Sequence, residues 1–200
     1  DIDIIGPDDA IPAGDKPVLV DLGHLDPAAI PVGALSKPSG DFAMANFRKA
    51  LELCMAGVAD AVTFSPFNKA SMRLSHPSYE DEVVFMTEFL HFKGVASEFN
   101  ILPGLWNARV TSHVPISGVA ALITRANVLR GLRLTHEAML AAGFAPPRIA
   151  VAGLNPHAGD GGNFGREEID EIGPAIEDAR KLGIACDGPF PSDTVFNRAR

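Results

Sequence analysis

Cysteine is scarce in this chain: Cys54 and Cys186 are the only two, with no CxxC spacing. Such a pair builds neither a disulfide framework nor a cysteine zinc site, and a reducing, cytoplasmic setting is expected. Basic residues are outnumbered, 17 Lys and Arg against 25 Asp and Glu for a net charge of −8, and they are scattered. That excludes the clustered positive footprint of a nucleic-acid binder and a polybasic membrane patch. No apolar run reaches the roughly 18 residues of a membrane-spanning helix, and the opening Asp1-Ile2-Asp3 carries no basic, signal-like segment. Internal repeats and low-complexity tracts are also missing. What is present is a globular composition, 200 residues at 46% hydrophobic, enough for one full α/β domain or parts of two. The chain opens on Asp1 and stops just after Val195-Phe196 with no closing element, so a piece cut at both ends is expected.

Helical and strand-like periods alternate along the chain, which points to the α/β class. Val18-Leu19-Val20-Asp21-Leu22 is a short apolar segment followed by Pro- and Gly-rich loops. A helix is predicted from Gly40 to Gly57, with Phe42, Ala45, Phe47, Ala50, Leu51, Cys54 and Met55 on one broad face. Ala59 to Phe64 then reads as a buried strand. The loop after it holds Asn68 and Lys69, where the lysine either faces an anion or a reacting hydroxyl or is an ordinary surface residue. Tyr79-Glu80-Asp81-Glu82 precedes an apolar helical pattern, and acids in a first turn suit the helix dipole. Strands are predicted over 97–102, 106–111 and 148–152, and a helix from about Thr124 to Ala142. The helix from Gly165 to Leu182 has Ile169, Ile172, Ile176 and Ala179 as its buried stripe, with Glu167, Glu168, Glu171, Asp178 and Lys181 on its wet side. Asp187 to Thr194 reads as loop, its two prolines rejecting helix and sheet interior alike.

His113 and His157 each follow a predicted strand closely, and in a common sheet both would project into one crevice beyond the strands' carboxyl ends. Two imidazoles invite a divalent ion, but such a site usually needs three protein ligands, and His24, His76, His91 and His136 are poorly placed to supply a third. The glycines at 159, 161, 162 and 165 around His157 are equally consistent with a loop that merely turns the chain.

The segment Gly153-Leu154-Asn155-Pro156-His157-Ala158-Gly159-Asp160-Gly161-Gly162 resembles the signature of the 4-hydroxythreonine-4-phosphate dehydrogenase family. The resemblance continues through Gly165, Glu167-Glu168-Ile169-Asp170, Asp187-Gly188-Pro189, Pro191 and Asp193-Thr194-Val195-Phe196, and covers roughly residues 40–200. Thr111-Ser112-His113-Val114-Pro115 and the stretch from Asp60 through Asn68-Lys69 are similar to that family's earlier segments. The resemblance implies two α/β sub-domains like those of the isocitrate and isopropylmalate dehydrogenases, with residues 1–76 part of the first and 77–200 part of the second, which carries the metal site and the dimer contacts. It implies a homodimer with its active site at the interface, and a metal-dependent, NAD- or NADP-linked oxidation of a hydroxy acid with decarboxylation. His113 and His157 correspond to two of the family's three metal ligands, for zinc or else magnesium or manganese. The third belongs to a downstream segment this chain lacks. Lys69 becomes the candidate base or anion contact. Where the family reads Gly-His-Thr-Glu this chain reads Tyr79-Glu80-Asp81-Glu82, placing Glu80 and Asp81 where the substrate is touched. Two unit charges about 4 Å apart repel by roughly 4 kcal/mol at an effective dielectric near ~20, so acids there favour hydroxyl or ammonium over phosphate. A cis-dihydrodiol dehydrogenase of aromatic-acid degradation, and a metal- or sugar-acid-binding relative without turnover, are the alternatives.

Overall fold

The computed structural model describes residues 2–198 of the chain. Strands and helices alternate in a mixed α/β arrangement that falls into two compact units, one ending at Gly94 and the other beginning at Val95. The sequence placed a boundary at 76/77; residues 77–94 stay with the first unit because Tyr79 and Phe85 bury themselves in the same cluster as Phe47 and Met72. Among the described residues no helix is long and apolar enough to cross a membrane.

In the first unit, β1 (Asp3–Ile5) and β2 (Val18–Val20) pair in parallel. Three helices follow: α1 (Lys37–Met55), α2 (Lys69–Ser75) and α3 (Glu82–Phe89). Ser36 starts α1 by accepting the Ser39 amide on its hydroxyl at 3.2 Å, and Pro38 in the first turn has no amide left to satisfy. The face that α1 buries is Gly40, Met44, Phe47 and Leu51. It is narrower than the sequence suggested: Met55 is 68% exposed, and apolar residues were more numerous than one helical stripe can hold. Gly40 lets α1 and α2 approach closely, since a Cβ there would lie 1.9 Å from the Ser71 carbonyl oxygen. The predicted strand at 59–64 has no ladder partner among the described residues. Phe64 instead stacks on Phe67 at 4.8 Å, and both rings pack beside Phe47.

In the second unit, β3 (Phe99–Leu102) and β4 (Leu105–Ala108) form an antiparallel hairpin. Two helices, α4 (Ile116–Leu122) and α5 (Arg125–Ala141), come next. Thr124 caps α5 by accepting the Asn127 amide. The strand β5 (Ile149–Ala152) pairs in parallel with β6 (Cys186–Phe190), and between them run a single π-type turn, Glu168–Ile172, and α6 (Gly173–Lys181). The last element among the described residues is α7 (Val195–Arg198). The core joins Val128 and Leu132 of α5 to Ile172, Ala175, Ile176 and Ala179, with Ile184 and Cys186 beneath. Fully burying a side chain such as Ile176 contributes roughly 1.5–3 kcal/mol.

Two sequence readings are corrected here. Residues 186–190 form a strand and not a loop: the ladder shifts register between Ala150 and Ala152, and that irregularity accommodates a proline without an amide to donate. Glu168 is buried, 4% exposed, and Ile169 is 46% exposed, the reverse of the assigned stripe. The π-type turn rotates the helix face at this point, and Glu168 lies four residues before the buried Ile172, on the core side.

Candidate functional site

The pairing of β5 with β6 runs one residue past the strand, the Gly153 amide donating to the Phe190 carbonyl at 2.8 Å, and there the chain leaves the sheet. After Pro156 it enters a left-handed turn of five consecutive residues, with φ of 54° at His157, 53° at Ala158, 82° at Gly159, 43° at Asp160 and 65° at Gly161. Glycine adopts this conformation freely, but a residue with a Cβ pays about 1–2 kcal/mol, so His157, Ala158 and Asp160 are held against their own preference. The histidine side chain is exposed, its ring beside Phe164 with centroids 6.1 Å apart.

Glu168 binds the chain just ahead of this turn. One carboxylate oxygen accepts the Leu154 and Asn155 amides, each at 2.7 Å, and the other accepts the Asn155 side-chain amide at 3.0 Å. The same Asn155 nitrogen donates to Glu167 at 2.7 Å. Burial pushes the Glu168 carboxyl up, but the hydrogen bonds from Asn155 and Leu154 outweigh it and hold the group below the ordinary carboxylate range. The loop wraps this carboxylate closely: a Cβ at Gly153 would sit 3.0 Å from one oxygen, and at Gly159 2.7 Å from the other. Sequence reasoning missed Glu168 and Asn155. The available signal was the spacing of Glu168 to Ile172 on one helix face.

His113 is likewise exposed and left-handed, with φ of 56°, and its Nδ1 lies 3.3 Å from the Ser112 hydroxyl. The expected common sheet does not form among the described residues, because β4 pairs with β3 and β5 with β6. Each histidine also stands beyond a short loop rather than at its strand's end. The two segments nevertheless wall one cavity of 230 Å³, bordered by Val110 and Thr111 ahead of His113, Gly153 and Leu154 ahead of His157, and Ile123 and Ile172 between. Imidazoles suit a divalent ion, but two do not complete a site. Among the described residues no group of three or more His, Cys, Asp or Glu could hold one.

In the first unit, Lys69 opens α2 behind Asn68, whose side-chain oxygen caps the helix by accepting the Ser71 amide. The Lys69 ammonium lies 3.0 Å from Glu82. Burial would raise the Glu82 carboxyl, yet hydrogen bonds from its own amide and from Lys69 keep it below the usual range. Asp81 caps α3, accepting the Val84 amide at 2.8 Å, and Tyr79 is 2% exposed in the core. Glu80 is exposed. Of the acids expected to face substrate, Asp81 is thus engaged by the helix terminus.

The family model of the pyridoxal phosphate biosynthetic protein PdxA matches residues 8–200. A protein of Rhizobium meliloti (strain 1021), provisionally named 4-hydroxythreonine-4-phosphate dehydrogenase 2, is 55% identical over 182 residues, which is 91% of this chain and 52% of the relative. The chain therefore spans about half the length of that protein. The crystal structure of 4-hydroxythreonine-4-phosphate dehydrogenase from Klebsiella pneumoniae superposes with a TM-score of 0.83 at 27% identity, over 99% of this chain and 61% of that one. A terephthalate 1,2-cis-dihydrodiol dehydrogenase from Burkholderia xenovorans LB400 superposes with a TM-score of 0.63 at 27% identity, over 91% of this chain and 58% of that one.

Proposed function

The chain belongs to the family of the pyridoxal phosphate biosynthetic protein PdxA, and from that premise we propose that it serves an NAD- or NADP-linked oxidation of a 4-phosphorylated hydroxy acid. The observation that carries this reading is the His157 turn, an exposed imidazole on a left-handed loop that follows two residues bonded to a buried carboxylate. Strained backbone that its surroundings over-determine clusters at active sites and ligand clamps. In the reaction the carbon bearing the 3-hydroxyl gives a hydride to the nicotinamide ring and the hydroxyl proton passes to a base, forming a ketone; the resulting 3-keto acid then loses carbon dioxide, and the enolate left behind takes a proton at C2.

His113 and His157 are assigned as two ligands of a divalent ion, zinc or else magnesium or manganese, with the remaining ligand supplied from outside the described residues. Lewis acidity toward the reacting oxygen is what such an ion supplies when bound. Lys69 is assigned as the contact for the substrate's anion, its ammonium directed by Glu82, or, as the neutral amine, as the base that takes the hydroxyl's proton. Glu80 and Asp81 are assigned to substrate discrimination at the substrate's hydroxyl groups and away from its phosphate, Glu80 the more directly because Asp81 also caps α3. The assembly in this reading is a cytoplasmic homodimer whose site lies at the subunit interface, with sub-domains of the isocitrate dehydrogenase type.

A second reading, oxidation of a cis-dihydrodiol carboxylate, is favoured by the likeness to the terephthalate-pathway enzyme and by the Glu80-Asp81 pair. A substrate panel separates the two. Nicotinamide reduction is expected to be fastest with 4-phosphorylated hydroxy acids. Turnover of dihydrodiol carboxylates alone would establish the second reading, and no turnover with any member would leave a binding protein.

A further inference from the structure

The structure assigns Glu168 as the positioning residue of the His157 loop: its buried carboxylate, by taking the Leu154 and Asn155 amides and the Asn155 side chain, fixes the turn that presents the imidazole. The inference rests on the reading that His157 serves the reaction. Glu168 need not meet the substrate to do this, since it lies on the core side of its turn and is 4% exposed. Its three hydrogen bonds all go to the two residues just ahead of Pro156 and His157, the point where the backbone turns left-handed. Gly153 and Gly159 flank its two oxygens, so closely that a Cβ at either would come within 3.0 Å and 2.7 Å of them respectively.

The arrangement requires an acceptor at both oxygens. A glutamine at 168 keeps the shape and can still accept both backbone amides on its one oxygen, but its nitrogen then confronts the Asn155 nitrogen, donor against donor. Turning the Asn155 amide over relieves that clash only by setting its oxygen against Glu167, which now receives its nitrogen at 2.7 Å. Neutralising both acids removes the conflict, because the turned Asn155 oxygen can accept from both glutamines. The single Glu168→Gln variant should therefore be more damaging than the double Glu167→Gln/Glu168→Gln variant.

The test follows the His157 imidazole by NMR, its signal identified by its loss in His157→Gln, together with hydrogen exchange of the Leu154 and Asn155 amides and the kinetics of nicotinamide reduction. In Glu168→Gln the imidazole signal should shift or broaden, exchange at both amides should accelerate, and kcat should fall roughly 10- to 100-fold, the usual range for groups that orient a ligand, with the nucleotide KM unchanged. The double variant should recover part of each loss while remaining folded. An unchanged imidazole signal and unchanged exchange in Glu168→Gln would overturn the inference whatever happens to activity. A displaced imidazole with undiminished kcat would leave Glu168 holding the loop but overturn the reading that His157 serves the reaction.

Discussion

Replacing His157 by alanine is expected to lower nicotinamide reduction by on the order of a thousandfold, equivalent to about 4 kcal/mol of transition-state stabilisation, while the protein stays folded. The side chain is exposed, and its ring contact is with Phe164. Packing lost with it is therefore small. Alanine tolerates the left-handed conformation less well than histidine, which adds a few tenths of a kcal/mol, and for a chain of this size about 1 kcal/mol moves the melting temperature by roughly 2–4 °C. Activity and melting temperature measured on the same preparation check this. Parallel losses of folded protein and of activity would make His157 a structural residue.

The second large effect concerns the glycine in the middle of the turn. Gly159→Ala is expected to destabilise by about 2–5 kcal/mol, because two penalties add there. The conformation, with φ of 82°, is one that a Cβ disfavours, and that Cβ would lie 2.7 Å from a Glu168 oxygen and 3.0 Å from the Gly165 carbonyl. Neither neighbour can give way, the carboxylate being fixed by three donors. Gly161→Ala provides the control. Its φ is 65° but nothing stands within 4 Å of the added atom, so only the conformational penalty of about 1–2 kcal/mol applies. Denaturant midpoints of the two variants at unchanged slope measure the difference. Equal losses would show that the close packing around Glu168 is not what holds the loop.

Much of this molecule was legible from periodicity. The helix expected from Thr124 to Ala142 runs from Arg125 to Ala141 with Thr124 as its cap, and β3 and β5 fall within the apolar runs that predicted them. The candidate loop was legible too, because glycines crowd around one histidine in a recognisable signature. What the residue pattern could not show was tertiary. Hydropathy puts a glutamate on the wet face, yet Glu168 is drawn inside by amide donors that reach it only once the chain has folded back from β5. The proline-containing 186–190 segment became a strand because a register shift relieves the ladder of its missing amide. Conversely, the apolar 59–64 run found aromatic packing in place of a strand partner. Glu80 and Asp81 were placed at the substrate by correspondence alone, and the sequence pattern did not show that Asp81 also caps α3.

The most direct measurement of the central claim is the initial rate of NAD or NADP reduction with a 4-phosphorylated hydroxy acid, taken before chelation, after exhaustive chelation, and after zinc, magnesium or manganese is restored. If His113 and His157 are metal ligands of a dehydrogenase, the rate falls to background on chelation and returns with one of these ions, and it does not return in His157→Ala. A chelated protein that still turns over at its full rate would contradict that account.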